Sequence, residues 1–349
     1  MDTASADWLK RPMRSGFLGV CGLLLFAAGL RAQIPLAAGT YTQDFNGLGT
    51  GMPPGWSVYL SASSNSLGTP QLFSSAAATW SDTSGGFKNV AAVDNSVFTG
   101  GESTAAQNAA SDRALGVRQT STTGQDPGAA FGLNFSSTGL AITAISFSAQ
   151  MLSVQTRSTT WTLQYGIGAN PVSWTTIATY SDPGIFGATS IAVNSAALGT
   201  ALNNQSNAWL RVVALAVSSG PGSRDTFAID DFTIIVAPPP TITSQPVSPT
   251  NTLGDSSTFS VAANGSGALS YQWRKGNAAI SNASATTATL TLTNITSADA
   301  GNYTVVVTDA NGSTTSAVAT LTFVRVPAII TLALRLAHKF GTTHMSARF

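Results

Sequence analysis

The stretch Phe227-Ala-Ile-Asp-Asp-Phe-Thr-Ile-Ile-Val236 runs directly into Ala237-Pro238-Pro239-Pro240, and Thr241-Ile-Thr-Ser-Gln-Pro246 follows. Three consecutive prolines fix φ, remove three backbone donors and favour extended polyproline, so they belong inside neither helix nor sheet. The flanks are rich in Phe, Ile, Val and Thr, which suit a pleated, half-buried surface. The first flank therefore reads as a strand closing one β domain, the second as a strand opening another. Residues 237–240 are expected to be a stiff linker between them.

Working outward, 349 residues allow two domains of ordinary size, each long enough to close a core. Only 9% of residues are charged against 43% hydrophobic, which excludes a chain kept unfolded by its charge. Fourteen of the fifteen acidic residues are Asp, and Glu102 is the one glutamate. Asp favours turns where Glu favours helices, so this bias also points to β structure.

Residues 1–32 read as a signal peptide. Lys10, Arg11 and Arg14 precede the apolar stretch Gly16–Leu30. That stretch is short for roughly 30 Å of hydrocarbon, so cleavage near Ala32 is expected rather than a retained anchor. Cleavage takes the sixteen basic and fifteen acidic side chains to twelve and thirteen, which leaves no basic surface for nucleic acid. It also removes Cys21, the one cysteine. A secreted or cell-surface protein without disulfides, thiol-bound metals or membrane insertion of the mature chain is the expectation.

Residues 33–236 hold many short β-like segments between Gly, Asn, Asp and Ser clusters, with no sustained helical period. In Thr160-Trp-Thr-Leu-Gln-Tyr165 the residues Trp161, Leu163 and Tyr165 share one face. About 200 such residues predict one jelly-roll-like β-sandwich. Its landmarks are Tyr41-Thr-Gln-Asp-Phe-Asn46, Pro54-Gly-Trp56, Asp112-Arg-Ala-Leu-Gly116 and Arg224-Asp-Thr-Phe-Ala-Ile-Asp-Asp-Phe232. On these the segment resembles a jelly-roll module of secreted bacterial proteins, similar in its ending to the MAM and "choice-of-anchor" sandwiches. The resemblance implies an extracellular, non-catalytic module.

Residues 241–323 alternate at Phe259 and Val261 and at Leu290 and Leu292. They also carry Leu269-Ser-Tyr-Gln-Trp273, Asp299-Ala-Gly-Asn-Tyr303 and a hairpin at Asn311-Gly312. On these the segment resembles an I-set-like immunoglobulin domain of bacterial surface proteins. The resemblance makes Trp273 the core tryptophan and Tyr303 the corner tyrosine. Val261 and Val305 stand where the family has its two cysteines. That bridge would contribute roughly 4 kcal/mol. Two buried valines offset it with about 1.5–3 kcal/mol each. Beyond it, residues 324–349 form an irregular tail. Val326-Pro-Ala-Ile-Ile-Thr331 echoes Pro239-Pro-Thr-Ile-Thr243 and then loses the pattern, as a truncated or frame-shifted second copy would.

Chemistry is sparse. His338 and His344 sit in the tail, and neither a Gly-x-Ser-x-Gly turn nor a phosphate loop occurs. Glu102 and Asp112 are the one conceivable acid pair, and Gly100-Gly101 assigns Glu102 to a loop. The chain is therefore read as no enzyme. Asp44 on the first strand and Asp230 and Asp231 on the last are the candidate metal ligands, because first and last strands often pair in a sandwich. Together they would offer hard oxygens to a structural Ca2+. Turn capping with an ion pair to Arg211 or Arg224 is the competing reading. Trp80 and Trp174, beside turn signals, are the candidate sugar-stacking platforms.

The resulting expectation is a non-catalytic binding or display protein serving adhesion or carbohydrate attachment, with a polysaccharide or cell-surface glycan as partner. An accessory region of a larger secreted hydrolase and a purely structural stalk are the alternatives.

Overall fold

The computed structural model describes residues 33–121 and 124–324. The signal-peptide and tail expectations lie outside the described residues. The fold is almost entirely β, as the composition predicts, in two sandwiches. The two short α-helices, Thr104–Ala109 and Ser195–Leu198, begin at Ser103 and Asn194, whose side chains cap their first turns.

The first sandwich packs two seven-stranded sheets. One runs Thr175–Ser181, Thr160–Ile167, Ala208–Val213, Ala130–Ser136, Trp56–Leu60 and Thr69–Pro70, with Ile34–Pro35 beside Ala130–Ser136. The other runs Gly187–Asn194, Ala141–Ser153, Thr226–Ala237, Arg113–Arg118, Phe87–Ala91 and Phe73–Ala78, with Gly39–Gln43 beside Thr226–Ala237. Alternation aims Trp161 and Leu163 from one sheet and Phe227 and Ile229 from the other into a shared core. There Trp161 stacks on Phe227 with ring centroids 4.2 Å apart. Trp56 is wedged edge-on between Phe45 and Phe232, and its indole N–H donates to Tyr41 Oη at 3.0 Å.

The closing strand Thr226–Ala237 changes face midway. Phe227 and Ile229 point into the core, and then Phe232, Ile234 and Val236 do so. The switch is a bulge: pairing with Ala141–Ser153 slips between Asp230 and Thr233, and Asp231 adopts φ 45°. Without it, Asp231 would follow Ile229 into the apolar interior. With it, Asp231 is exposed and Phe232 turns inward, while Asp230 stays on the outer face in step with Ala228.

That outer face is not solvent-washed. Residues 92–112, between the strands Phe87–Ala91 and Arg113–Arg118, fold over it. Trp80, Val90, Ala92, Ala114 and Ala228 form a second small core there, with Phe98 and Phe186 against the Trp80 ring. Val93 N–H donates to Gln150 Oε1, and Trp80 N–H to Gln107 Oε1.

In the second sandwich, Thr241–Ser244 pairs with Ala262–Asn264, and Ser257–Ser260 with Thr289–Leu292. The opposing sheet runs Thr250–Asn251, Ala319–Phe323, Gly301–Asp309, Ser270–Lys275 and Ala278–Ala279, with Gly312–Thr315 completing a hairpin. Trp273 is fully buried and faces Val305 in register, while Phe259 stacks on Tyr303 at 4.6 Å. Val261 and Val305 are both buried in this core.

Candidate metal centre

Three carboxylates meet under the 92–112 excursion. Asp94 stands at its outgoing foot, Asp112 at its returning foot and Asp230 on the closing strand beneath. One oxygen from each lies within 4.8 Å of the other two. Two oxygens on opposite sides of a single Ca2+, each at about 2.4 Å, would be separated by about this distance. The feet are held together by Ala92 N–H donating to the carbonyl of Asp112 at 3.1 Å.

The cluster concentrates negative charge under cover. Asp230 is completely buried, and its Oδ1 accepts only the neighbouring Asp231 N–H at 2.8 Å. Asp230 Oδ2, Asp112 Oδ2 and both oxygens of Asp94 are buried without a hydrogen-bond partner. Burial first, then the negative charges of Asp94, Asp231 and Asp112, push the Asp230 carboxyl up to about 9. Burial, with Asp94 and Asp231, also raises Asp112. Neither of the two ion pairs among the described residues, Lys88–Asp82 and Arg224–Asp126, reaches this cluster.

The structure places the expected ligands unevenly. Asp230 is in the cluster. Asp231 is exposed and accepts Asn95 Nδ2 at 3.0 Å, beside the outgoing foot. Asp44 does follow the strand that pairs with the closing strand, but its side chain accepts Asn46 N–H at 3.2 Å within its own turn. Asp94 escaped the sequence reading, and Asp112 entered it only as a possible acid partner of Glu102, because nothing local marks two residues eighteen positions apart as neighbours of Asp230. The available signal was an Asp at each end of a Ser-, Ala- and Gly-rich insertion between two apolar strands.

Both arginines proposed as competing partners are engaged elsewhere. Arg224 pairs with Asp126. Arg211 is buried without a carboxylate: Nε and Nη2 donate to Gln164 Oε1 at 2.9 and 2.7 Å, and Nη1 and Nη2 to the Ser66 and Ser63 carbonyls. Its guanidinium lies 3.9 Å from the Trp174 ring centroid.

The expectation that Trp80 is exposed is corrected: only 3% of it reaches solvent, because the excursion carries Phe98 onto it. Trp174 is half-buried, with its indole nitrogen buried. Glu102 closes its own loop, accepting from Thr99 and Gly100 N–H. His338 and His344 lie outside the described residues. An open groove of about 420 Å³ borders the first strands, lined by Ile34, Pro35, Leu36, Tyr41, Gln43 and Pro54.

Residues 239–309 match the family model described as an immunoglobulin domain. No curated protein matches the chain. Among solved structures it is similar to titin M4 in its trigonal form at 22% identity, over 25% of this chain and 96% of that one, TM-score 0.23. It is similar to titin domain M7 at 25% identity, over 25% and 94%, TM-score 0.23. The tandem Ig repeats of Dlar align at 18% identity, over 34% and 70%, TM-score 0.23. Tyr303 Oη donates to the Asp299 carbonyl at 2.7 Å and so ties the corner. Family match, buried Trp273 and tyrosine corner together support an immunoglobulin-like domain at residues 239–309.

Proposed function

We propose that the chain is a secreted or cell-surface binding and display protein, not an enzyme, whose first sandwich contacts a polysaccharide or cell-surface glycan. Immunoglobulin-like domains are generally non-catalytic binding or structural modules, and here that domain serves as the spacer. The observation that carries the reading is where the large aromatics lie. In the second sandwich Trp273, its one tryptophan, is buried with Phe259 and Tyr303, which leaves the half-buried Tyr271 and Phe323 as the aromatics a sugar ring could meet there. The first sandwich keeps Trp174 partly accessible over the Arg211 cation and opens the groove beside Tyr41. A partly exposed indole with polar neighbours suits a pyranose face.

The test is a polysaccharide and cell-surface binding screen on the full chain with Trp174→Ala beside it. Binding that this change weakens supports the assignment. Binding equally strong in Trp174→Ala and in a groove variant such as Tyr41→Ala moves the contact to the second sandwich. N-terminal sequencing of material recovered from the medium is expected to begin near Gln33, and a start at Met1 argues against export.

A further inference from the structure

The geometry points to a Ca2+ site formed by Asp94, Asp112 and Asp230, in which the ion clamps both feet of the 92–112 excursion to the closing strand. The inference is independent of what the sandwich binds. Three acidic side chains in proximity would not carry it. What does is Asp230, fully buried, with an oxygen that no donor satisfies and that faces Asp94 and Asp112. Burying an unpaired carboxylate is strongly unfavourable unless a proton or a counter-ion neutralises it, and a single divalent cation would neutralise these neighbouring groups together. No Lys or Arg fills that role among the ion pairs described above.

The donor set selects the ion. All three ligands are carboxylates, without imidazole or thiolate, which favours a hard cation over Zn2+ or copper. Asp94 offers two free oxygens and Asp112 and Asp230 one each. Water fills the remaining positions of a shell that needs 6–8 oxygens. Mg2+ prefers a tighter octahedron with several retained waters. The ligands come from three separate segments, so the ion acts as a cross-link. It bridges an excursion whose tip is loosely covered, Val97 being 94% exposed, to the best-paired strand of the sheet.

The test titrates CaCl2 into the full chain after chelation, read by calorimetry, by melting temperature and by limited chymotrypsin cleavage at Phe98. One Ca2+ per chain, a melting temperature that rises with its concentration, and slower cleavage are expected. Asp230→Asn abolishes all three responses, whereas Asp44→Asn keeps them. Should Asp230→Asn fail to fold, Asp94→Asn, at a residue less buried than Asp230, is expected to lose the responses in its place. Wild-type chain that binds no Ca2+ at millimolar concentration overturns the site. So does Asp94→Asn binding as wild type, while Mg2+ giving equal responses overturns the choice of ion.

Discussion

The two sandwiches share a construction principle and differ in what they bury. The buried charged residues among those described, Lys88, Arg113, Arg118, Arg211, Asp225 and Asp230, and the fully buried side chain of Asp126 all lie in the first. In the second, the buried polar residues are the small, neutral Ser257, Asn311 and Ser316. Burying a charge costs several kcal/mol unless hydrogen bonds or a counter-ion offset it. The second sandwich thus carries little of this cost. The first retains costly groups, as binding or metal sites require, and several of them organise loops. Arg113 ties Asn89 to the Gln107 carbonyl, and Arg211 pins the turn at Ser63–Ser66.

The sharpest way to break this comparison is to hollow each core. Trp273→Ala and Trp161→Ala are each expected to cost about 3–5 kcal/mol. In denaturant melts of the full chain, each should weaken the unfolding of its own sandwich only. A common shift of all unfolding would mean that the halves are one cooperative unit.

Buried charge is probed next. Arg211→Met leaves Gln164 Oε1 without its donor and the Ser63 and Ser66 carbonyls with only each other's N–H, and is expected to cost about 1–3 kcal/mol. A neutral outcome would show that these acceptors find water and that the arginine is dispensable to the fold.

The pH dependence follows from Asp225. Burial, then Asp182, raises its carboxyl to about 7, against 3.8 ordinarily. The folded state then holds a proton that the unfolded state has released, so the contribution of Asp225 to stability is full below about pH 4 and is lost as pH rises towards about 7. Asp225→Asn keeps an acceptor for Gln155 N–H and removes the titration. It should flatten that slope, worth on the order of 1–2 kcal/mol. Parallel wild-type and variant slopes in urea melts at pH 4, 5.5 and 7 would assign the dependence to other groups.

The smallest effect is Tyr303→Phe. It deletes the single hydrogen bond to the Asp299 carbonyl and should cost about 0.5–1.5 kcal/mol in the second sandwich alone. A loss comparable to that of Trp273→Ala would make the corner, rather than the core, the anchor of that domain.

Local chemistry in the chain by itself determined where strands lie, where the prolines interrupt them and that the second half carries the Trp273 and Tyr303 landmarks. Period-two alternation, proline geometry and turn residues act over a few positions and are therefore legible without tertiary information. Alternation also required one of Asp230 and Asp231 to be hidden. Only the tertiary structure decided which one and beside what. The bulge changes the face of the closing strand after Asp230, and the sheet order brings in the feet of an excursion more than a hundred residues earlier. Trp80 illustrates the same point, since its turn-like surroundings read as exposed until Phe98 and Phe186 close over it. Contacts between distant segments depend on strand order and long-range packing, which no short window of sequence encodes.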